Sequence, residues 1–217
     1  MITLILVCAV AYLLGSVNTS ILISRLYGTD IRKHGSGNAG ATNTLRTLGK
    51  KAAVLVVAGD AAKGILAVAL AGFLVKLSAN LGLGVYRDRE IYRCAAGFCA
   101  ILGHNFPVYF KFRGGKGVLT SAAVVAMLEP RVFLCLIGIF LVLVILTRYV
   151  SLGSVCAALG LMILPWFVPG REELPFLIFG MCAGGLAIVM HRGNLVRLVQ
   201  GKERKLGDKK KKPERME

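Results

Sequence analysis

The sequence predicts an all-α, polytopic integral membrane protein of about seven transmembrane helices, with its N-terminus outside and its C-terminus cytoplasmic. Three observations lead there. The 217 residues are 56% hydrophobic with a mean hydropathy of +0.69, against about 45–50% apolar content in a soluble domain, so the excess has to be buried in lipid. The first 24 residues, MITLILVCAVAYLLGSVNTSILIS, carry no charge, and no basic segment with a small-residue cleavage site marks them as a removable signal. The positive charge, finally, is distributed very unevenly among the loops.

Apolar segments able to be helical run over 3–24, 53–75, 91–110, 117–128, 132–147, 152–168 and 175–190. Several fall short of the roughly 20 residues of a perpendicular span, 117–128 most of all, which calls for tilt or a thinned bilayer. Pro130 disfavours helix at Glu129, so 117–147 reads as two short helices rather than one long one. With the N-terminus outside, 20 of the 27 Lys and Arg residues fall on the cytoplasmic side and six outside. Five acids (Asp88, Glu90, Glu129, Glu172, Glu173) leave the outer face nearly neutral, as the positive-inside rule expects. Asp60 and Lys63 lie three apart inside the second span and read as an internal pair, because either charge alone would cost about 2.5–3.5 kcal/mol at the bilayer centre.

This distribution accounts for the net charge of +16 without nucleic acid, which is not expected as a partner. The six cysteines all sit in apolar runs without a C-x-x-C pair and read as small hydrophobes, so neither a disulfide framework nor a metal site is predicted. Residues 202–217, KERKLGDKKKKPERME, have no apolar periodicity and read as a basic, disordered cytoplasmic tail attracted to anionic membrane lipid.

Four polar clusters converge on the cytoplasmic face, and this convergence is the main functional signal. HGSGNAGATNTLRTLGKK (34–51) holds no acid; its glycines let amides approach a ligand, Ser36, Asn38, Thr42 and Asn43 offer neutral donors, and Arg46 a cationic fork. In GHNFPVYFKFRGGKGVLT (103–120), Gly114, Gly115 and Gly117 surround Lys116 just before an apolar helix, a candidate backbone cradle for an anion. The turn lacks the Walker A pattern, with Phe110 and Gly117 at positions that need Gly and Ser or Thr, which disfavours ATP hydrolysis. RYVSLGS (148–154) places Ser151 and Ser154 at a helix start, where Ser151 also suits an N-cap. In HRGNLVRLVQGKE (191–203), His191 and Asn194 share one helix face.

Several mechanisms are excluded by what is absent. The His-x-x-x-x-Asp pair of one large acyltransferase group fails at all three histidines, since positions 39, 109 and 196 are Ala, Tyr and Val. No G-x-S-x-G, H-E-x-x-H or cytoplasmic acid cluster is present either, and no metal or other cofactor is expected. A transporter of phosphorylated solutes would want similar residues, but near the midplane and often in repeats, and no internal repeat is found.

At these four stretches the chain resembles the bacterial acyl-phosphate:glycerol-3-phosphate acyltransferases, membrane enzymes of phospholipid synthesis. The likeness runs through GSVNTSILISRLYGTDIRKHGSGNAGATNTLRTLGKK, GHNFPVYFKFRGGKGVLTSAA, RYVSLGS and HRGNLVRLVQGKERKLG in order. It implies one integral membrane acyltransferase domain over 1–201, and transfer of a fatty acyl group from acyl phosphate to the 1-hydroxyl of glycerol 3-phosphate. The products would be lysophosphatidic acid and phosphate. Carried over residue by residue, it implies catalytic roles for Ser36, Arg46, Lys116, His191 and Asn194. Substrate binding falls to Asn38, Thr42, Gly114, Gly115, Gly117 and one of Ser151 and Ser154, and a structural role to Glu203. Arg113 stands where lysine is usual and Leu119 where alanine is usual. Implied partners are both substrates, membrane lipid and other phospholipid-synthesis enzymes; the base is either His191 or the donor's phosphate.

Overall fold

The computed structural model describes residues 1–83, 85, 89–168 and 174–208. Arg87, Asp88 and Arg171 to Glu173, counted above among the outer charges, and the lysine-rich tail from 209 lie outside the described residues. The described chain is all-helical: α1 (Ile2–Gly15), α2 (Thr19–Leu26), α3 (Ala41–Leu48), α4 (Lys50–Asn80), α5 (Glu90–Asn105), α6 (Val118–Leu128), α7 (Pro130–Thr147), α8 (Val150–Ile163), α9 (Leu174–Met190) and α10 (Arg192–Val199), with single 3-10 turns between some of them.

The first apolar stretch, expected as one helix over 3–24, is broken at Ser16–Asn18. Asn18 restarts it by accepting from the Ile21 amide at 3.1 Å, as an N-cap asparagine does. The Val17 carbonyl freed by the break is taken by Lys63 Nζ from α4 at 2.9 Å. The break sits where α1 crosses α5 backbone to backbone: a Cβ on Gly15 would stand 2.2 Å from the Ala100 carbonyl oxygen, and one on Gly103 would stand 2.3 Å from that of Tyr12.

The segment expected over 91–110 leaves the helix at Asn105, ahead of Pro107, and the residues to 117 form a loop closed by a single turn at Val108–Phe110. At the other end of α6 the chain does break at Glu129. That side chain caps α7 through the Arg131 amide at 3.1 Å, with Pro130 at the first helical position, where a missing N–H costs nothing.

Two apolar cores hold the long helices, and a smaller one of Ile21, Ile31, Ala39 and Phe110 packs α2 against the adjoining loops. One joins α4 to α9 around Val68, Ile101, Val124, Leu128, Val132, Leu161, Phe176 and Phe179; the other packs small residues of α1, α4 and α5, including Ala11, Ala67, Ala71, Ala96 and Ala100. Large apolar side chains face outward, among them Leu134, Val142, Ile145 and Leu146 of α7, which a water-soluble fold would not tolerate in such a patch. Ile2–Leu26, Lys50–Asn80, Pro130–Thr147 and Val150–Phe167 are long and apolar enough to cross a bilayer, and α9 with α10 qualifies as a pair bent by 56°. The 11 residues of α6 rise only about 16 Å against a hydrocarbon core of about 30 Å.

Candidate active site

One end of the bundle gathers every polar cluster singled out in the sequence. The loop between α2 and α3 is organised by Asn43, whose two Nδ2 protons are shared among the carbonyls of Ile31 (3.2 Å), His34 (2.9 Å) and Asn38 (3.1 Å), while its Oδ1 accepts from the Ser36 amide at 3.0 Å. Asn43 therefore shapes the loop that presents Ser36, Asn38 and Thr42, and its own polar atoms are spent. Arg32 ties this loop to the next by donating to the Phe110 carbonyl at 3.1 Å.

In the loop before α6 the structure corrects the expected cradle. The Gly114 amide donates to the Asn105 carbonyl (3.2 Å) and the Gly115 amide to the His104 carbonyl (3.1 Å), so both cap the C-terminal end of α5 and neither is free for a ligand. Their lack of a side chain serves packing: a Cβ on Gly115 would lie 2.2 Å from His104 Nε2 and 2.4 Å from the Ala39 carbonyl oxygen, and one on Gly114 2.0 Å from the His104 carbonyl oxygen. Lys116, Gly117 and the start of α6, at Val118 and Leu119, are the parts of this stretch that line the cavity. Gly117, at φ +74°, precedes a helix that has no side-chain cap, so its first-turn amides have no capping side chain.

Glu203 links the other two clusters. Its carboxylate accepts from Ser151 Oγ (2.9 Å), Asn194 Nδ2 (2.7 Å) and Arg197 Nε (2.7 Å). Asn194 in turn accepts from Lys116 Nζ through its Oδ1, giving a continuous chain from Lys116 through Asn194 and Glu203 to Ser151. Residues 202–208, expected as the start of a solvated tail, fold back over this network. The Leu206 amide donates to the Arg148 carbonyl at 2.7 Å and the Arg148 guanidinium donates to the Leu206 carbonyl at 2.8 and 3.2 Å, and Arg46 donates to the carbonyls of Arg204 (3.2 Å) and Lys205 (3.4 Å). The tail's charge hid this, because sequence alone does not distinguish a solvated cation from one reaching a carbonyl.

These residues enclose a cavity of about 760 Å³ lined by Ser36, Asn38, Thr42, Arg46, Lys116, Gly117, Ser151, Ser154, His191, Asn194 and Glu203. Of the sequence-predicted residues, only Gly114 and Gly115 stay behind its wall. Arg197, Lys202, Arg204, Asp60 and His104 also line it; the first three belonged to an apparent juxtamembrane charge run, and His104 lacked an acid at the tested spacing. Ser154 hydrogen-bonds its own helix at the Val150 carbonyl, 2.9 Å away. A second, apolar cavity of about 120 Å³ between α6, α7, α8 and α9 shares Val118, Leu119, Phe140 and Ser154 with the first.

The sequence profile of glycerol-3-phosphate acyltransferases matches residues 5–201. The glycerol-3-phosphate acyltransferase of Clostridioides difficile (strain 630) is 41% identical over 207 residues, 95% of this chain and 97% of that one. That of Paraburkholderia phymatum is 41% identical over 208 residues, 95% and 94% of the two chains. The chain belongs to the glycerol-3-phosphate acyltransferase family. Among solved structures, the glycerol 3-phosphate form of PlsY, an integral membrane glycerol 3-phosphate acyltransferase, superposes with a TM-score of 0.80 at 36% identity over 94% of this chain and 96% of that one. Its lysophosphatidic acid form gives 0.77. This glycerol-3-phosphate acyltransferase family member is accordingly an integral membrane acyltransferase of phospholipid synthesis.

In this acyltransferase, electrostatics divide the lining residues by role. Burial lowers the Lys116 ammonium to about 8, opposed by Glu203 and reinforced by Arg197 and Arg46, so at neutral pH it is a cation close to its neutral form. Burial, then the Lys116 charge, push the His191 imidazole down to about 4. That ring is neutral. Its Nδ1 lies 2.7 Å from the Ala187 carbonyl, which can only accept, so Nδ1 carries the proton and Nε2 presents a lone pair. The hydrogen bonds from Asn194, Arg197 and Ser151 outweigh burial and hold the Glu203 carboxyl below its usual range. The arrangement can therefore bind anions with fixed cations and accept a hydrogen bond from a hydroxyl at one neutral imidazole.

Proposed function

We propose that the protein transfers a fatty acyl group from acyl phosphate to the 1-hydroxyl of glycerol 3-phosphate, forming lysophosphatidic acid and inorganic phosphate. The observation that carries this reading is the junction of the two cavities: a polar chamber lined by Arg46, Lys116, Arg197, Lys202 and Arg204 meets an apolar slot at Val118, Leu119, Phe140 and Ser154. An acyl phosphate has those two halves. Its chain suits the slot between α6 and α9, leaving the mixed anhydride among the cations.

In this reading Arg46 and Lys116, with Ser36 and the first amides of α6, hold phosphate groups. Asn38, Thr42 and Ser151 or Ser154 add neutral contacts, and Asn194, its amide oriented by Lys116 and Glu203, aligns the glycerol. The 1-hydroxyl oxygen attacks the acyl carbon and the C–O bond to phosphate breaks. Phosphate leaves as a stabilised anion, so positioning and charge neutralisation supply most of the rate. The 1-hydroxyl proton passes to the departing phosphate, while His191 Nε2 accepts a hydrogen bond from the neighbouring 2-hydroxyl and so orients the glycerol. Glu203 keeps a structural role.

The same reading has seven membrane crossings, N-terminus outside, in a bacterial cell membrane with the chamber facing the cytoplasm. The short α6 and the α5 segment, with Glu90 and Arg93 paired at 2.9 Å, cross by virtue of their packing inside the bundle. The domain spans 1–201 and the segment to 208 closes it, the remainder being the lipid-attracted tail. Association with other phospholipid-synthesis enzymes extends the proposal. Purified, membrane-reconstituted Lys116→Ala and Arg46→Ala variants test the site: each should lose about 10- to 100-fold or more in kcat/KM, the worth of a hydrogen bond to a charged group. Near-normal turnover in both would remove the assignment.

A further inference from the structure

Behind the glycine turn lies a buried charged cluster that the reaction as described does not use. Lys63 Nζ is surrounded by three acceptors: Asp60 Oδ1 at 2.9 Å, the Val17 carbonyl at 2.9 Å and His104 Nδ1 at 2.8 Å. An ammonium has N–H donors and no lone pair, so the 2.8 Å contact requires His104 Nδ1 to be the acceptor. Asp60 Oδ1 is 3.6 Å from the same nitrogen, beyond hydrogen-bond range. A second cation 2.8 Å from Lys63 would be strongly repelled, so the imidazole is neutral and its one proton sits on Nε2. The tautomer is fixed by a residue 41 positions away.

His104 is 3% exposed, yet it lines the polar cavity, and its Nε2 lies under Gly115, one residue from Lys116. We propose that His104 is a further substrate-binding residue: its Nε2–H donates to a phosphoryl oxygen held beside Lys116, with Lys63 and Asp60 as the positioning pair that sets the donor. This also accounts for Gly115, because any side chain there would stand between the imidazole and the chamber. The chemistry is that of a phosphate oxyanion, from either glycerol 3-phosphate or the acyl phosphate, and the proposal rests on the reading of the chamber as a phosphate site.

Asparagine can replace Nδ1 but does not reach Nε2; glutamine carries its amide to about the Nε2 position. His104→Asn should therefore lose about 10- to 100-fold in kcat/KM and His104→Gln should recover most of it. Whichever substrate's KM rises in His104→Asn identifies the phosphate bound. Independently, histidine-labelled wild-type protein should show by nitrogen NMR a protonated Nε2 and unprotonated Nδ1 at His104, with the Nε2–H signal shifting on titration with inorganic phosphate alone. That arm decides the matter even if a variant fails to insert, and is separate from turnover: wild-type protein that shows the shift but makes no lysophosphatidic acid removes the acyl-phosphate reading and leaves His104 standing. A proton on Nδ1, no response to phosphate, or equal activity of the Asn and Gln variants overturns the inference.

Discussion

At the residue scale the chamber depends on a few side chains whose charge is set by their neighbours. Lys116 is cationic below about pH 8, and a phosphate monoester is dianionic above about pH 6. The proton on Lys116 favours binding, so affinity is full below 8 and lost as pH rises through it. The KM for glycerol 3-phosphate should be lowest between about pH 6 and 8 and climb toward tenfold per unit above, and Lys116→Arg should move or abolish that upper limb in a steady-state pH profile. Because His191 is neutral down to about 4, no limb near pH 6.5 should report it. Gly115→Ala meets His104 and the Ala39 carbonyl; it should cost about 1–3 kcal/mol in thermal unfolding together with most of the activity. A fully active, fully stable Gly115→Ala protein would contradict the packing described.

The element scale shows which features could be read from sequence and which could not. The apolar segments marked the helices, and Pro130 with Glu129 marked the break between α6 and α7, because cap and breaker signals are local. The break at Ser16–Asn18 lies inside an uncharged apolar run and depends on the α1–α5 crossing and on Lys63, none of which has a local signature. The loss of the Gly114 and Gly115 amides to α5 is similar: glycine after a helix and glycine around a phosphate look alike until the partner carbonyls are known. Asn18→Ala should cost about 1 kcal/mol through the lost cap, a few degrees in melting temperature. Gly103→Leu, by contrast, should prevent α1 from docking on α5 and leave little folded protein. Equal melting temperatures for the two variants would mean that the crossing is not tight.

For the whole molecule, convergence of four polar stretches was legible because each sits at the end of an apolar segment and charge fixes a common side. Arg46, Lys116, His191, Asn194 and Glu203 were named on that basis together with a family likeness, and the fold brings them into one chamber. The Asp60–Lys63 pair was legible from its i,i+3 spacing and forms at 2.9 Å; Asn43 as the loop's organiser, the fold-back of 202–208 and the place of His104 beside that pair were not, since each is assembled from side chains and carbonyls distant in sequence. Glu203→Ala frees Ser151, Asn194 and Arg197 at once and should lower both activity and stability, whereas Glu203→Gln should retain more of each; that ordering separates a structural role from a reacting one.

The most direct test of the central claim is a phosphorus NMR time course on purified protein in lipid, given glycerol 3-phosphate and acyl phosphate. Equimolar growth of lysophosphatidic acid and inorganic phosphate is predicted, with none when an acyl thioester replaces the acyl phosphate. Turnover of the thioester without acyl phosphate, or phosphate release with no acylated glycerol 3-phosphate, would contradict it.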